Sequence, residues 1–173
     1  MPNYQPTWIL NSLYDLTPEI LKQKGFTAMI VDLDNTLLAW NVTRSTKEAT
    51  HWIQTMQNQD IRLFILSNNT TTRVQQALEG TALPYRANAL KPSKKSFQAA
   101  IKALDVPISQ ILVVGDQLFT DIVGANRVGL ASVLVKPLAE HDIIYTRLSR
   151  WLEKCVLRLK GIQRHTDWGN TLD

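Results

Sequence analysis

A chain of 173 residues with 45% hydrophobic and 20% charged residues has the make-up of one ordinary globular domain, which excludes collagen-like, disordered and membrane-embedded chains. Its net charge of +4 suits anionic partners such as phosphorylated small molecules, nucleic acid or acidic lipid, without choosing among them. A single cysteine, Cys155, no secretory pattern at the N-terminus and no run of roughly 18 apolar residues set the expectation of a soluble, cytoplasmic protein.

The first 25 residues read as a helical or irregular lead-in. Ile20 and Leu21 are expected to pack on a sheet, and Gly25 to close the segment. Residues 27–33, 61–66, 111–114 and 131–135 are short and nearly continuous in apolar character, as strands buried on both faces are. Residues 83–89 read as an edge strand, where Pro84 is tolerated. Between these runs lie helical stripes: Ala49, Trp52, Ile53 and Met56; Val74, Ala77 and Leu78; Phe97, Ala100, Ile101 and Leu104. Ser45, Thr70 and Ser93 are the expected caps. Strands alternating with helices predict an α/β fold, a parallel sheet of about five strands with right-handed crossovers. Residues 143–160 form a last amphipathic pattern. Ile144, Leu148, Trp151, Leu152, Cys155 and Leu159 lie on one face and Arg147, Arg150, Lys154 and Arg158 on another.

Ligands of open parallel α/β sheets bind beyond the carboxyl ends of the strands. Reading each apolar run to its end gives Asp32 and Asp34, then Ser67, Asn68 and Asn69, then Gly115 and Asp116 with Asp121 close behind. Lys91 follows the edge segment. Clustered carboxylates need a cation, and Mg²⁺ suits an all-oxygen site that also takes phosphate oxygens. An aspartate can attack phosphorus and split one difficult step into two, while an ammonium stabilises the transferring group.

Here a resemblance enters. Asp32-Leu33-Asp34-Asn35-Thr36-Leu37, Ser67, Lys91 in Leu90-Lys91-Pro92, and Gly115-Asp116-Gln117-Leu118-Phe119-Thr120-Asp121 resemble, in order, the four motifs of the haloacid dehalogenase (HAD) superfamily. The match is closer to its subfamily IIIA, the YqeG type, which is similar to phosphatidylglycerophosphate phosphatases. The resemblance implies a Rossmann-like sheet and an Mg²⁺-dependent phosphatase working through an aspartyl-phosphate. It implies Asp32 as nucleophile and Asp34 as acid and then base, with its carbonyl on the metal. It further implies Ser67 and Asn68 as phosphate-binding groups, Lys91 as the residue orienting nucleophile and phosphate, and Asp116 and Asp121 as metal ligands.

About thirty residues separate the first two motifs, room for one helix and its connections. One domain, residues 1–173, without the cap domain that selects substrates in the superfamily, is therefore expected. An open site of that kind accepts a bulky substrate, a phosphorylated small molecule or a lipid head group, or is covered by the second subunit of a homodimer. The basic face of residues 143–160 reads either as a solvated helix face or as a peripheral contact with anionic lipid. No specific nucleic-acid signal stands out, and His51, His141 and His165 share no metal spacing. The competing reading from another class is a non-catalytic HAD-like module that binds a protein or ribosomal partner. Intact Asp32, Asp34, Lys91 and Asp116 count against it.

Overall fold

The computed structural model describes residues 4–139 and 166–173; the basic amphipathic segment 143–160 lies outside them. Six parallel strands form one sheet: β1 (Trp8–Leu10), β2 (Ala28–Val31), β3 (Arg62–Leu66), β4 (Tyr85–Arg86), β5 (Ile111–Gly115) and β6 (Ala131–Val135). Their spatial order is β1-β6-β5-β2-β3-β4. Five helices connect them: α1 (Pro18–Gln23), α2 (Lys47–Asn58), α3 (Thr71–Ala77), α4 (Lys94–Leu104) and α5 (Val123–Arg127). From β2 the chain winds outward through β3 to β4, then returns to β5 on the other side of β2 and winds outward again. The direction of winding reverses between β2 and β5, and a crevice opens at such a switch point.

The helices divide between the two faces. Met29, Val31, Leu63, Ile65, Leu112 and Val114 point to one core with Leu21, Trp52, Ile53, Met56 and Val74. Ala28, Ile30, Phe64, Leu66, Ile111 and Val113 alternate to the other, against Phe97, Ala100 and Leu104 of α4 and Ala125 of α5. Both faces of the central strands are thus covered, which is why they read as unbroken apolar runs.

The lead-in differs from expectation. Trp8–Leu10 is a strand, paired in parallel with Val133–Val135 at the sheet edge. The sheet therefore has six strands where about five were expected. Downstream, α1 ends as anticipated: Gly25 has φ +83°, and the Gly25 and Phe26 amides donate to the carbonyls of Lys22 and Leu21. Pro84 precedes β4, which is an edge strand. The cap of α2 is Thr46, whose hydroxyl accepts from the Ala49 amide, and not Ser45, whose hydroxyl meets that of Thr50. Thr70 caps α3 through the Arg73 amide, while Ser93 takes the cap position of α4 without a side-chain bond to it.

A third, smaller apolar cluster backs the wide turn Leu118–Ile122 that follows β5. Leu118 and Ile122 pack there with Leu134 and with Trp168 from the tail. No helix among the described residues is long and apolar enough to cross a membrane.

Candidate active site

The register of the sheet brings the site together. Val31 pairs with Ile65 on one side and with Val114 on the other, so β2, β3 and β5 end within one residue of the same level. The next residues out are Asp32, Ser67 and Asp116, and the Asp32 amide donates to the Val114 carbonyl to hold that level. After Asp32 the chain folds into a tight loop. Asn35 adopts φ +65°, a left-handed conformation that asparagine tolerates better than most residues. The Leu37 and Leu38 amides both donate to the Leu33 carbonyl, and the Asn35 side-chain oxygen accepts from the Trp40 amide. Tyr14 ties the loop to the lead-in by donating its hydroxyl to the Leu37 carbonyl at 2.5 Å.

Lys91 reaches the site from beyond β4. Its backbone amide donates to the Asn68 side-chain oxygen at 2.6 Å, and the Asn68 amide nitrogen donates to the Lys91 carbonyl at 3.3 Å. The Lys91 ammonium donates to Asp32 Oδ1 at 2.5 Å and to Asp121 Oδ1 at 2.7 Å. The other oxygen of Asp121 accepts from the Gln117 amide at 3.1 Å. Thr36 Oγ1 stands 3.5 Å from Asp116 Oδ1. Asp32, Asp116 and Asp121 are all buried, and each offers a carboxylate oxygen within 4.8 Å of the other two.

Among the described residues, three buried carboxylates share this pocket with the Lys91 ammonium, an excess of negative charge. Burial pushes the Asp32 carboxyl up to about 7, against the opposing pull of Lys91. Burial likewise raises Asp121 above the usual carboxylate range, with Lys91 again opposing. Burial alone would lower the Lys91 ammonium, but Asp121 and Asp32 outweigh it and hold it above its ordinary value. A hard divalent cation fits this site on charge and on donor chemistry, because every donor is oxygen and the deficit is positive charge.

Gly115 makes the cluster sterically feasible. A Cβ there would sit 2.3 Å from the Asp121 carboxyl carbon, which Lys91 and Gln117 hold in place.

Asp34 stands apart from this group. Its carboxylate lies outside the three-carboxylate cluster and faces α3. Asp34 Oδ1 accepts from Arg73 Nε at 3.2 Å and from a terminal guanidinium nitrogen at 2.9 Å, and Oδ2 accepts from the Asn69 side-chain nitrogen at 3.1 Å. Ser67 is buried, and its hydroxyl accepts from the Asn69 amide, closing the turn after β3. A cleft of about 270 Å³ is lined by Asp32, Asp34, Ser67 and Lys91, with Trp40 on its rim. The structure places Asp32, Asp34, Ser67, Asn68 and Lys91 along one cleft and buries Asp116 and Asp121 beside Asp32, and it adds Arg73, which the sequence does not single out. A charge near the start of a helix has no local mark of an inward partner.

Known proteins resemble this chain in both sequence and fold. A family model described as HAD-hydrolase-like matches residues 89–137. The chain is 33% identical over 165 residues to the "Probable phosphatase YqeG" of Bacillus subtilis (strain 168), covering 95% of this chain and 96% of that protein. The chain belongs to the HAD-like phosphatases of the YqeG type. It is also 31% identical over 159 residues to phosphatidylglycerophosphate phosphatase 1 of Arabidopsis thaliana, covering 79% of this chain and 44% of that longer protein. Among solved structures, the fold matches the cobalt-bound deoxy-D-mannose-octulosonate 8-phosphate phosphatase of Haemophilus influenzae. The TM-score is 0.53 at 14% identity, covering 81% of this chain and 92% of that one. An uncharacterized protein from Listeria monocytogenes matches with the same TM-score at 19% identity, covering 79% of this chain and all of that one.

The YqeG-type chain is thus a hydrolase of phosphate esters. For this phosphatase, Gly115→Ala is expected to cost about 1–3 kcal/mol of stability by overpacking. Turnover should fall by about 100-fold through displacement of Asp121. Urea unfolding and p-nitrophenyl phosphate hydrolysis read the two effects. An unchanged midpoint would contradict the packing of Asp121 against the Gly115 backbone.

Proposed function

We propose that the phosphatase cleaves phosphomonoesters through an aspartyl-phosphate on Asp32 and depends on Mg²⁺. The observation that carries this reading is the meeting of Asp32, Asp116, Asp121 and Lys91 at the switch point between β2 and β5. Asp32 attacks phosphorus, and the ester P–O bond breaks as Asp34 gives its proton to the departing alcohol. Asp34 then takes a proton from the water that attacks phosphorus, which releases inorganic phosphate and frees the Asp32 carboxylate. Lys91, bonded to Asp32, aims the nucleophile and reduces its repulsion from the phosphoryl group. Ser67 offers its hydroxyl to a phosphoryl oxygen. The carboxylates of Asp32, Asp116 and Asp121 and the backbone carbonyl of Asp34 would hold Mg²⁺, which supplies Lewis-acid stabilisation of the phosphoryl charge. Asn68 acts one step back, by clamping the Lys91 backbone.

The substrate is a phosphomonoester of an aliphatic alcohol, with phosphatidylglycerophosphate the first to test. The similarity to the Arabidopsis enzyme supports that choice. Only α2 and its connections lie between β2 and β3, which supports a one-domain site without a separate cap, accessible to a lipid head group at a membrane surface.

The test is phosphate release from phosphatidylglycerophosphate in mixed micelles and from soluble phosphomonoesters, with EDTA or excess Mg²⁺. The rate in EDTA should fall below roughly a tenth of the Mg²⁺ rate and return on adding Mg²⁺. Full activity in EDTA would remove the metal from the mechanism. A folded protein inactive on every ester would instead favour a HAD-like binding module.

A further inference from the structure

We infer that Arg73 is a positioning residue for phosphate-ester cleavage: it sets the orientation of Asp34, the proton donor to the leaving alcohol. The inference rests on the acid–base role proposed for Asp34. Arg73 is the third residue of α3, and its backbone is fixed by the Thr70 cap. Its side chain turns back from the helix and grips one oxygen of Asp34 with two nitrogens, at 3.2 and 2.9 Å. The remaining terminal nitrogen donates to the Thr43 carbonyl at 3.0 Å. One planar group therefore ties Asp34 both to α3 and to the loop leading into α2. Asn69 holds the second Asp34 oxygen from the turn before α3.

The burial pattern supports positioning over substrate contact. The Arg73 side chain is only 14% exposed, against 22% for Asp34. Asp34 lines the cleft, whereas Arg73 is not among its lining residues. The guanidinium thus braces the carboxylate from behind. A guanidinium suits this task because its planar fork fixes the directions of its donors, which an ammonium on a flexible stem does not do. A carboxylate with both oxygens fixed can present a proton at only one place, and a misplaced general acid loses its advantage steeply.

This role makes a demand that general structural support does not. Proton donation matters most when the leaving alcohol is a poor leaving group, and little when it departs as a stable nitrophenolate. The experiment compares Arg73→Gln, Asp34→Asn and the double variant on glycerol 3-phosphate and p-nitrophenyl phosphate, both with saturating Mg²⁺. Arg73→Gln is expected to lower kcat/KM, which reports the steps up to departure of the alcohol and not the later attack of water, by about tenfold or more on the alkyl ester and by less than about threefold on the aryl ester. On the alkyl ester the double variant should be no slower than Asp34→Asn, because both substitutions act on one proton transfer. The ratio of the two ester rates is taken within one preparation, so any loss of folded protein cancels. Equal losses on the two esters or additive losses in the double variant would each overturn the inference. Asp34→Asn as fast as wild type on the alkyl ester would instead overturn the reading of Asp34 on which it rests.

Discussion

Asp32→Asn is expected to lower phosphomonoester turnover by at least about 10³-fold while leaving the sheet intact. The amide matches the carboxylate in size, and the Asp32 backbone keeps its bond to the Val114 carbonyl, so the strand end does not move. What disappears is the attacking oxygen. No other carboxylate of the cluster occupies the end of the central strand β2. Phosphate release from p-nitrophenyl phosphate measures the loss, and circular dichroism checks the fold. Turnover within tenfold of wild type would dismiss Asp32 as nucleophile.

The same variant should also change how stability depends on pH. Burial raises Asp32 from an ordinary 3.8 to about 7, so between these values the folded chain keeps a proton that the unfolded chain has lost. Stability contributed at low pH is therefore lost as pH rises from about 4 to about 7. Asparagine has no such proton. Urea unfolding in EDTA at about pH 4.5 and about pH 7.5 should show a smaller decline for Asp32→Asn than for wild type. Asp121, raised in the same direction, contributes to the decline in both proteins.

Lys91→Met should injure both stability and turnover. Methionine fills much of the space of the lysine stem but leaves Asp32 and Asp121 without the ammonium that bonds each of them. Removing one partner from a buried ionic group costs about 3–5 kcal/mol, because the remaining charges are neither solvated nor paired. The penalty belongs to neutral pH in EDTA. It should shrink toward about pH 5, where the abandoned carboxyls take up protons, and shrink again when Mg²⁺ is added at neutral pH. Turnover should fall by about 10²–10³-fold, the scale of losing one preorganised charge beside a reacting oxyanion. A stability loss equal at both pH values would show that lost packing, not lost charge, is responsible.

The sequence displays some of this architecture far better than the rest. Residues 28–31, 62–66 and 111–115 are legible as strands because both faces are covered, and the polar residue that ends each run marks the site directly. Trp8–Leu10 is not legible, because three residues show no period. Its strand conformation comes from β6, more than a hundred residues later, with the Thr7 amide donating to the Ser132 carbonyl. Asn68 lines the cleft where its position suggests a ligand for phosphate, and its side-chain amide also bonds the Lys91 backbone through both oxygen and nitrogen, which the sequence does not show. Arg73 looks like a solvated helix charge, yet it meets Asp34, which lies 39 residues earlier. Local pattern fixes which strand end each carboxylate occupies. It carries no information about which distant cation will face it.

The packing of Trp168 beneath the turn Leu118–Ile122 has a consequence for biosynthesis. A ribosome makes Asp121 well before it makes Trp168. The nascent chain thus possesses every motif residue while the turn that presents Asp121 still lacks part of its apolar footing. Completion of that footing is a late event, reached only when the tail emerges from the exit tunnel and settles against Leu134.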